Sequence, residues 1–197
     1  MNAVTKTYDM FARLLAYPTA EPPEEGYATW DVRYEKVGEE NRIDKLDSIF
    51  HDSPHLREYN ATIQNLSLAE MEELYTRTFD INPIASLEVG WHLFGEQYER
   101  GAFLVKMRQS LHAHFIEEST ELPDHLTHVL CLMGRLERAE ADEFAVKYLL
   151  PSLKKILEGF TDAGNPYKGV LEALRTFVEE QHVAVESKSA EGVSLHE

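Results

Sequence analysis

Residues 121–136 read ELPDHLTHVLCLMGRL, and this stretch decides the fold class. Pro123 suits the first turn of a helix, and Asp124 is an acid of the kind that favours a helix amino terminus. The apolar residues that follow recur every three or four positions: Leu126, Val129, Leu130, Met133 and Leu136. This spacing predicts a helix that opens at Pro123 and Asp124 and buries one face in a helical core.

The same periodicity extends through most of the chain. The best start signal is a capping box formed by Ser67 and Glu70. The other predicted apolar faces are Val4, Tyr8, Phe11 and Leu15; Met71, Leu74, Tyr75 and Phe79; Leu87, Gly90, Trp91 and Phe94 after an N-cap at Ser86; Leu104, Met107, Leu111 and Phe115 in a helix from Tyr98 to Glu118; Leu149, Leu153, Ile156 and Phe160; and Val170, Leu171, Leu174, Phe177 and Val178. No stretch shows the alternation of a half-buried strand.

Prolines and glycines divide these helices. Pro18 should end the first helix after Tyr17, and Pro151 should kink or split a helix over residues 141–160. A long aromatic loop is predicted over 19–37 and a short helix over 43–50. The sequence thus predicts an all-α, single-domain bundle of about seven to nine helices over residues 1–185. A flexible polar tail is predicted over 186–197.

Composition limits the function. The 197 residues include 19 Lys and Arg and 35 Asp and Glu, so the formal net charge is −16. This charge argues against nucleic acid and anionic membrane surfaces as partners. No apolar run suits a membrane span or a secretory signal, and one cysteine excludes a disulfide framework. We expect a cytoplasmic protein without stable membrane insertion, whose acidity either aids solubility or attracts a basic segment.

Motifs of enzymatic chemistry are absent from the sequence. It contains no phosphate loop, no dinucleotide fingerprint and no serine nucleophile elbow. His125 and His128 share a helix face, but no second helix offers a Glu-x-x-His partner, so we predict no metal and no cofactor. Cys131 lies between two leucines and is predicted to be a buried, inert thiol. A helical metal-dependent enzyme with ligands around His92 and His125 remains the alternative of another class.

The segment Glu121-Leu122-Pro123-Asp124-His125-Leu126 has two interpretations. It is either a plain loop-to-helix junction or a junction that presents a carboxylate, an imidazole and free amides to a ligand.

A second group of residues also has two interpretations. It comprises Trp91, His92 and Phe94, beside Tyr75 and Phe79. These side chains belong either to the core or to an apolar groove of the kind that accepts a partner helix.

These stretches together resemble the NarJ/TorD family of redox-enzyme maturation chaperones. Residues 11–18, FARLLAYP, resemble the family's opening helix, and residues 74–80, LYTRTFD, followed by Pro83 resemble its central helix. Ser86-Leu87, Gly95 and Arg100-Gly101 match the punctuation of the NarJ-like branch. Residues 121–126 are similar to its Glu-x-Pro-Asp-His signature. The resemblance covers roughly residues 5–180.

The resemblance implies a non-catalytic, all-helical cytoplasmic chaperone. Such a protein binds the N-terminal signal region of a molybdenum-containing catalytic subunit, keeps that subunit ready for the molybdopterin cofactor and delays its twin-arginine export. The client-binding residues that the resemblance implies lie in the signature: Glu121, Pro123, Asp124 and His125. For a neighbouring apolar groove that also binds the client, we infer Tyr75, Phe79, Trp91, His92 and Phe94.

Two stretches of the sequence bear on the identity of the client. Residues 87–96, LEVGWHLFGE, look most like chaperones of type II dimethyl-sulfoxide-reductase-family enzymes, whose substrates include perchlorate, selenate, dimethyl sulfide and ethylbenzene. The long loop over 19–37 departs from the NarJ pattern, so a respiratory nitrate reductase is the second choice of client. A plain oligomeric scaffold that binds no client peptide is a further alternative.

Overall fold

The structure, a computed structural model, describes residues 2–19, 53–162 and 164–183. The predicted loop over 19–37, the helix over 43–50 and the tail over 186–197 lie wholly or almost wholly outside the described residues. The described part is helical and contains one isolated pair of bridged residues but no strand, which confirms the all-α prediction. None of its helices combines the length and apolarity that crossing a bilayer requires.

Nine α-helices follow one another in the described ranges. They are α1 (Ala3–Leu14), α2 (Pro54–Ile63), α3 (Leu68–Tyr75), α4 (Val89–Phe94), α5 (Tyr98–Ala113), α6 (Leu126–Met133), α7 (Arg138–Phe144), α8 (Leu150–Glu158) and α9 (Pro166–His182). Two π-helical turns extend them, Thr76–Asp80 after α3 and Ala145–Leu149 between α7 and α8. The second turn immediately precedes the helix that holds Pro151, where the sequence predicts a split.

Local capping signals are confirmed where the partner is close in sequence. Ser67 and Glu70 form the predicted capping box at the start of α3. The pair Asn165-Pro166 predicts a cap followed by a first turn, and Asn165 does cap α9 by accepting the Tyr167 N–H at 3.0 Å. Both caps join residues two or three positions apart, so a sequence pattern is enough to predict them.

Three predicted helix boundaries outside the signature segment are wrong. The first helix ends at Leu14, not Tyr17. Ser86 is not an N-cap, because α4 starts after Glu88. The helix predicted to reach Glu118 ends at Ala113 and turns back through Phe115, whose φ of 56° is left-handed. The ring predicted to be buried is consequently 96% exposed.

One continuous apolar core joins the helices. Helix α1 packs on α6, α2 packs on α9, and α4 packs on both α5 and α8. Cys131 is buried in this core, and burial raises the pKa of its thiol to about 12, as expected for an inert cysteine. The signature segment directly precedes α6, and His125 within it forms a backbone bridge with Glu88 at the start of α4.

Candidate functional site

A short antiparallel pairing joins the signature segment to the start of α4. The Val89 N–H donates to the Asp124 carbonyl at 3.0 Å, and the Leu126 N–H donates to the Leu87 carbonyl at 2.8 Å. Two stretches that the sequence singled out separately are thus hydrogen-bonded neighbours. Because the paired residues lie more than thirty positions apart, helical periodicity gives no sign of this contact.

Asp124 is fully buried in this pairing. Its Oδ2 accepts the Gly90 N–H at 2.8 Å, whereas Oδ1 has no hydrogen-bond partner among the described residues. Burial raises the pKa of the Asp124 carboxyl, and the nearby positive charge of Arg100 opposes that rise. Helix α6 begins at Leu126, two residues later than predicted, so Asp124 holds the start of α4 rather than that of its own helix.

Space at this bond is tight. A Cβ added at Gly90 would lie 2.6 Å from Asp124 Oδ2 and 2.9 Å from Phe103 Cδ1. Only glycine allows the backbone of α4 to approach the carboxylate this closely.

His125 is the N-cap of α6. Its Nδ1 accepts the Thr127 N–H at 3.4 Å and lies 2.8 Å from the Thr127 hydroxyl. Only 4% of the residue is exposed, and burial, with a smaller effect of His128, lowers the pKa of His125 to about 3. The imidazole is therefore neutral at physiological pH. Pro123 is buried directly before this pair.

His128 secures the loop that precedes the signature. Its Nε2 accepts the Ser119 N–H at 3.0 Å, so the proton lies on Nδ1, which donates to the Leu122 carbonyl at 2.9 Å. Both ring nitrogens are occupied, and burial lowers the pKa of His128. The His125 and His128 ring centroids are 6.5 Å apart.

The polar side chains of α4 bind back to the loop before it. Trp91 Nε1 donates to the Pro83 carbonyl at 2.9 Å, and His92 Nε2 donates to the Ser86 carbonyl at 2.7 Å. Burial lowers the pKa of His92. Both residues, with Phe94, are half-buried and keep part of their surface open.

Tyr75 and Phe79 lie in the core and not at the surface, where the lining of a groove would be. Both are buried in an aromatic cluster with Tyr167, whose ring centroid is 5.9 Å from that of Tyr75 and 5.0 Å from that of Phe79. The Tyr75 hydroxyl donates to the Leu15 carbonyl at 3.2 Å. These two side chains support the site from within the core.

Acidic residues surround the signature segment. Partial burial raises the pKa of Glu121, and the negative charges of Asp80 and Glu88 raise it further. We call Asp80, Glu88 and Glu121 the acidic patch. Because each carboxylate disfavours ionisation of Glu121, a cation bound here would relieve repulsion.

A pocket missed by the sequence analysis opens beside His125. Its volume is about 270 Å³, and its lining includes Tyr17, Phe115, Glu121, His125 and Cys131. The sequence predicted Tyr17 only as the end of a helix and Phe115 only as a buried ring. No sequence signal could have found the pocket, because its walls come from three distant parts of the chain: the segment after α1, the segment after α5, and α6.

The described residues do not assemble a metal centre. No group of three or more His, Cys, Asp or Glu side chains within residues 2–19, 53–162 and 164–183 is arranged to hold a metal ion. His92 and His125 each bind to their own neighbouring backbone or side-chain atoms.

The described residues thus form an all-helical bundle with a pocket beside an acidic patch. Residues 45–184 match the protein family described as nitrate reductase delta subunit. This match spans more than two thirds of the chain, and the chain belongs to that family, whose members are molybdoenzyme maturation chaperones. A search of curated proteins finds no match to this chain.

Proposed function

We propose that the chain binds the catalytic subunit of a molybdenum oxidoreductase in the cytoplasm, through its N-terminal signal region. The chaperone then assists molybdopterin cofactor insertion and assembly before twin-arginine export. One observation carries the proposal beyond the family: the signature segment, the start of α4 and the acidic patch form one continuous region.

Charge supports this partner. A signal region with paired arginines and an apolar stretch is complementary to an acidic patch beside half-buried aromatic side chains. The carboxylates accelerate encounter and set orientation, whereas apolar burial supplies most of the affinity. Glu121 is the exposed acid of the signature and is the residue we assign to contact an arginine.

The nine predicted client-binding residues divide by exposure. We propose that Glu121 and the half-buried Trp91, His92 and Phe94 contact the client. Five buried residues position that surface instead: Pro123, Asp124, His125, Tyr75 and Phe79.

Two clients are candidates. The segment Leu87 to Glu96 favours a type II dimethyl-sulfoxide-reductase-family enzyme, by its resemblance to chaperones of that group. The family description, nitrate reductase delta subunit, favours a respiratory nitrate reductase. The two differ in which catalytic subunit co-purifies with the chaperone.

The test is co-expression of the tagged chaperone with each candidate catalytic subunit, with and without the subunit's first residues. We expect one subunit to co-purify, and to gain molybdenum and pterin only with the chaperone present. Glu121→Gln should reduce recovery, whereas Glu180→Gln, which removes one exposed charge from α9, should not. Recovery of neither subunit, or equal recovery without the signal region, contradicts the proposal.

The same purified chaperone tests the remaining predictions. Elemental analysis should find no stoichiometric metal. About one zinc or iron per chain, with no co-purifying subunit, would favour the metal-dependent enzyme instead. A defined oligomer that binds neither subunit would favour the scaffold.

A further inference from the structure

Phe115 adopts a conformation and an exposure that both work against folding. Helix α5 ends in a Schellman motif, in which the Ile116 N–H donates to the Leu111 carbonyl at 2.9 Å and the Phe115 N–H to the His112 carbonyl at 3.2 Å. The residue at the Phe115 position takes a left-handed φ, here 56°, and glycine is usual there because it has no Cβ.

The exposure of Phe115 adds a second cost. Its ring is 96% exposed, whereas a phenylalanine stabilises a fold mainly when its side chain is buried. Neither feature is explained by packing within the described residues. Backbone strain of this kind clusters at ligand-binding sites, and an exposed ring beside it offers a contact surface.

The surroundings indicate what this ring binds. Phe115 lines the pocket of about 270 Å³ together with Tyr17, which is also exposed, and Ile116. The exposed rings of Phe115 and Tyr17 at this opening offer apolar surface for a side chain of another polypeptide.

The charged residues of the pocket indicate the chemistry of the segment that binds there. Glu117 and Glu121 line it, and within the described part of the chain neither has a cation at ion-pair distance. Arg135 also lines the pocket, but its Nη1 forms an ion pair with Asp9 Oδ1 at 2.9 Å. The two free carboxylates favour a segment with a cationic side chain close to an apolar one.

We propose that Phe115 is an aromatic clamp, which holds an apolar side chain of a cationic peptide in this pocket while Glu117 and Glu121 contact the cation. This inference rests on the proposed function, since the peptide is the signal region of the client. It adds a specificity-determining residue outside the signature segment and extends the binding surface to the carboxyl end of α5.

The inference has an unusual consequence, because one substitution should improve the fold and damage binding. Phe115→Gly places the preferred residue in the left-handed position, so the melting temperature should rise, by about 2–4 °C for a protein of this size. Loss of the ring should weaken peptide binding about 10- to 100-fold. Phe115→Tyr keeps the ring and should bind like the wild type.

The experiment measures both properties on the full chain. The probe is a fluorescent synthetic peptide with paired arginines followed by a leucine-rich stretch, and a second peptide has serines in place of the leucines. Anisotropy titration should show weaker binding for Phe115→Gly with the first peptide, and no difference between Phe115→Gly and wild type with the second.

The outcomes separate this inference from the proposed function. If Phe115→Gly binds the leucine peptide as tightly as wild type, the clamp is refuted while the chaperone function stands. If the wild type shows no saturable binding of either peptide, the proposed signal-region function itself fails. If Phe115→Gly changes only the oligomeric state in sedimentation, the ring contacts a second copy of the chain and the proposal is wrong.

Discussion

Substitution of Asp124 by alanine tests the central hydrogen bond of the site. The carboxylate accepts the Gly90 N–H at 2.8 Å and is fully shielded from water. In the alanine variant that N–H stays buried without a partner, which costs about 1–3 kcal/mol. Since domains have about 5–15 kcal/mol of stability, the variant should remain folded but be measurably destabilised.

Asp124→Asn is the matched control. Its side-chain oxygen keeps the acceptor for Gly90, while the negative charge is lost. Burial raises the pKa of the Asp124 carboxyl, so this position disfavours the charged form relative to water. We therefore expect the asparagine variant to lose less than half of the free energy of unfolding that the alanine variant loses.

Urea denaturation followed by circular dichroism provides the free energies, and the Gly90 amide in an NMR spectrum reports the bond directly. Equal losses in the two variants would show that charge, not the hydrogen bond, stabilises the site. A loss below about 0.5 kcal/mol for alanine would refute the assigned bond. Client binding measured on both folded variants then separates positioning from simple stability, because positioning predicts weaker binding by alanine alone.

Four further outcomes follow from the described contacts. Lowering the pH from 7 to 5 should reduce the free energy of unfolding by about 2 kcal/mol through His125, because its folded pKa of about 3 lies below the ordinary value near 6.5 and the unfolded state binds the proton first. Gly159→Ala should destabilise the fold by about 1–3 kcal/mol, as the new Cβ would lie 2.5 Å from the Ile84 carbonyl oxygen. Tyr8→Phe should cost about 1–3 kcal/mol, since its hydroxyl lies 2.6 Å from Nε2 of the buried His182. Binding of the arginine-bearing peptide should weaken as salt is raised, because exposed charges are screened over about 8 Å at physiological ionic strength.

Control variants and contrary results test these outcomes. His125→Asn can still cap α6 and should lose part of the pH dependence, so an unchanged slope would contradict a buried neutral imidazole. Gly101→Ala, with open space around the new Cβ inside α5, should not destabilise the protein. A Tyr8→Phe variant as stable as wild type would remove the assigned role of that bond. Calorimetry that shows salt-independent binding would leave only the apolar pocket.

The sequence alone determines the helical class and the interactions that are local. The capping box at Ser67 and the cap at Asn165 were predictable because both partners lie within one helical turn. The buried faces of α1, α6 and α9 follow from apolar residues at helical spacing, since that period brings them to one side. The signature segment was likewise recognisable as a stretch of interest.

The tertiary structure alone decided what that segment does. Whether Asp124 caps its own helix or holds Gly90 depends on how α4 packs beside α6, and contacts between residues thirty-four positions apart leave no periodic trace in the sequence. The ends of helices also depend on the tertiary structure. Helix α5 stops at Ala113, and the chain then turns at Phe115, so this residue of the predicted apolar face is exposed to solvent. The pocket exists only because these distant segments converge, so its lining was invisible until the helices were in place.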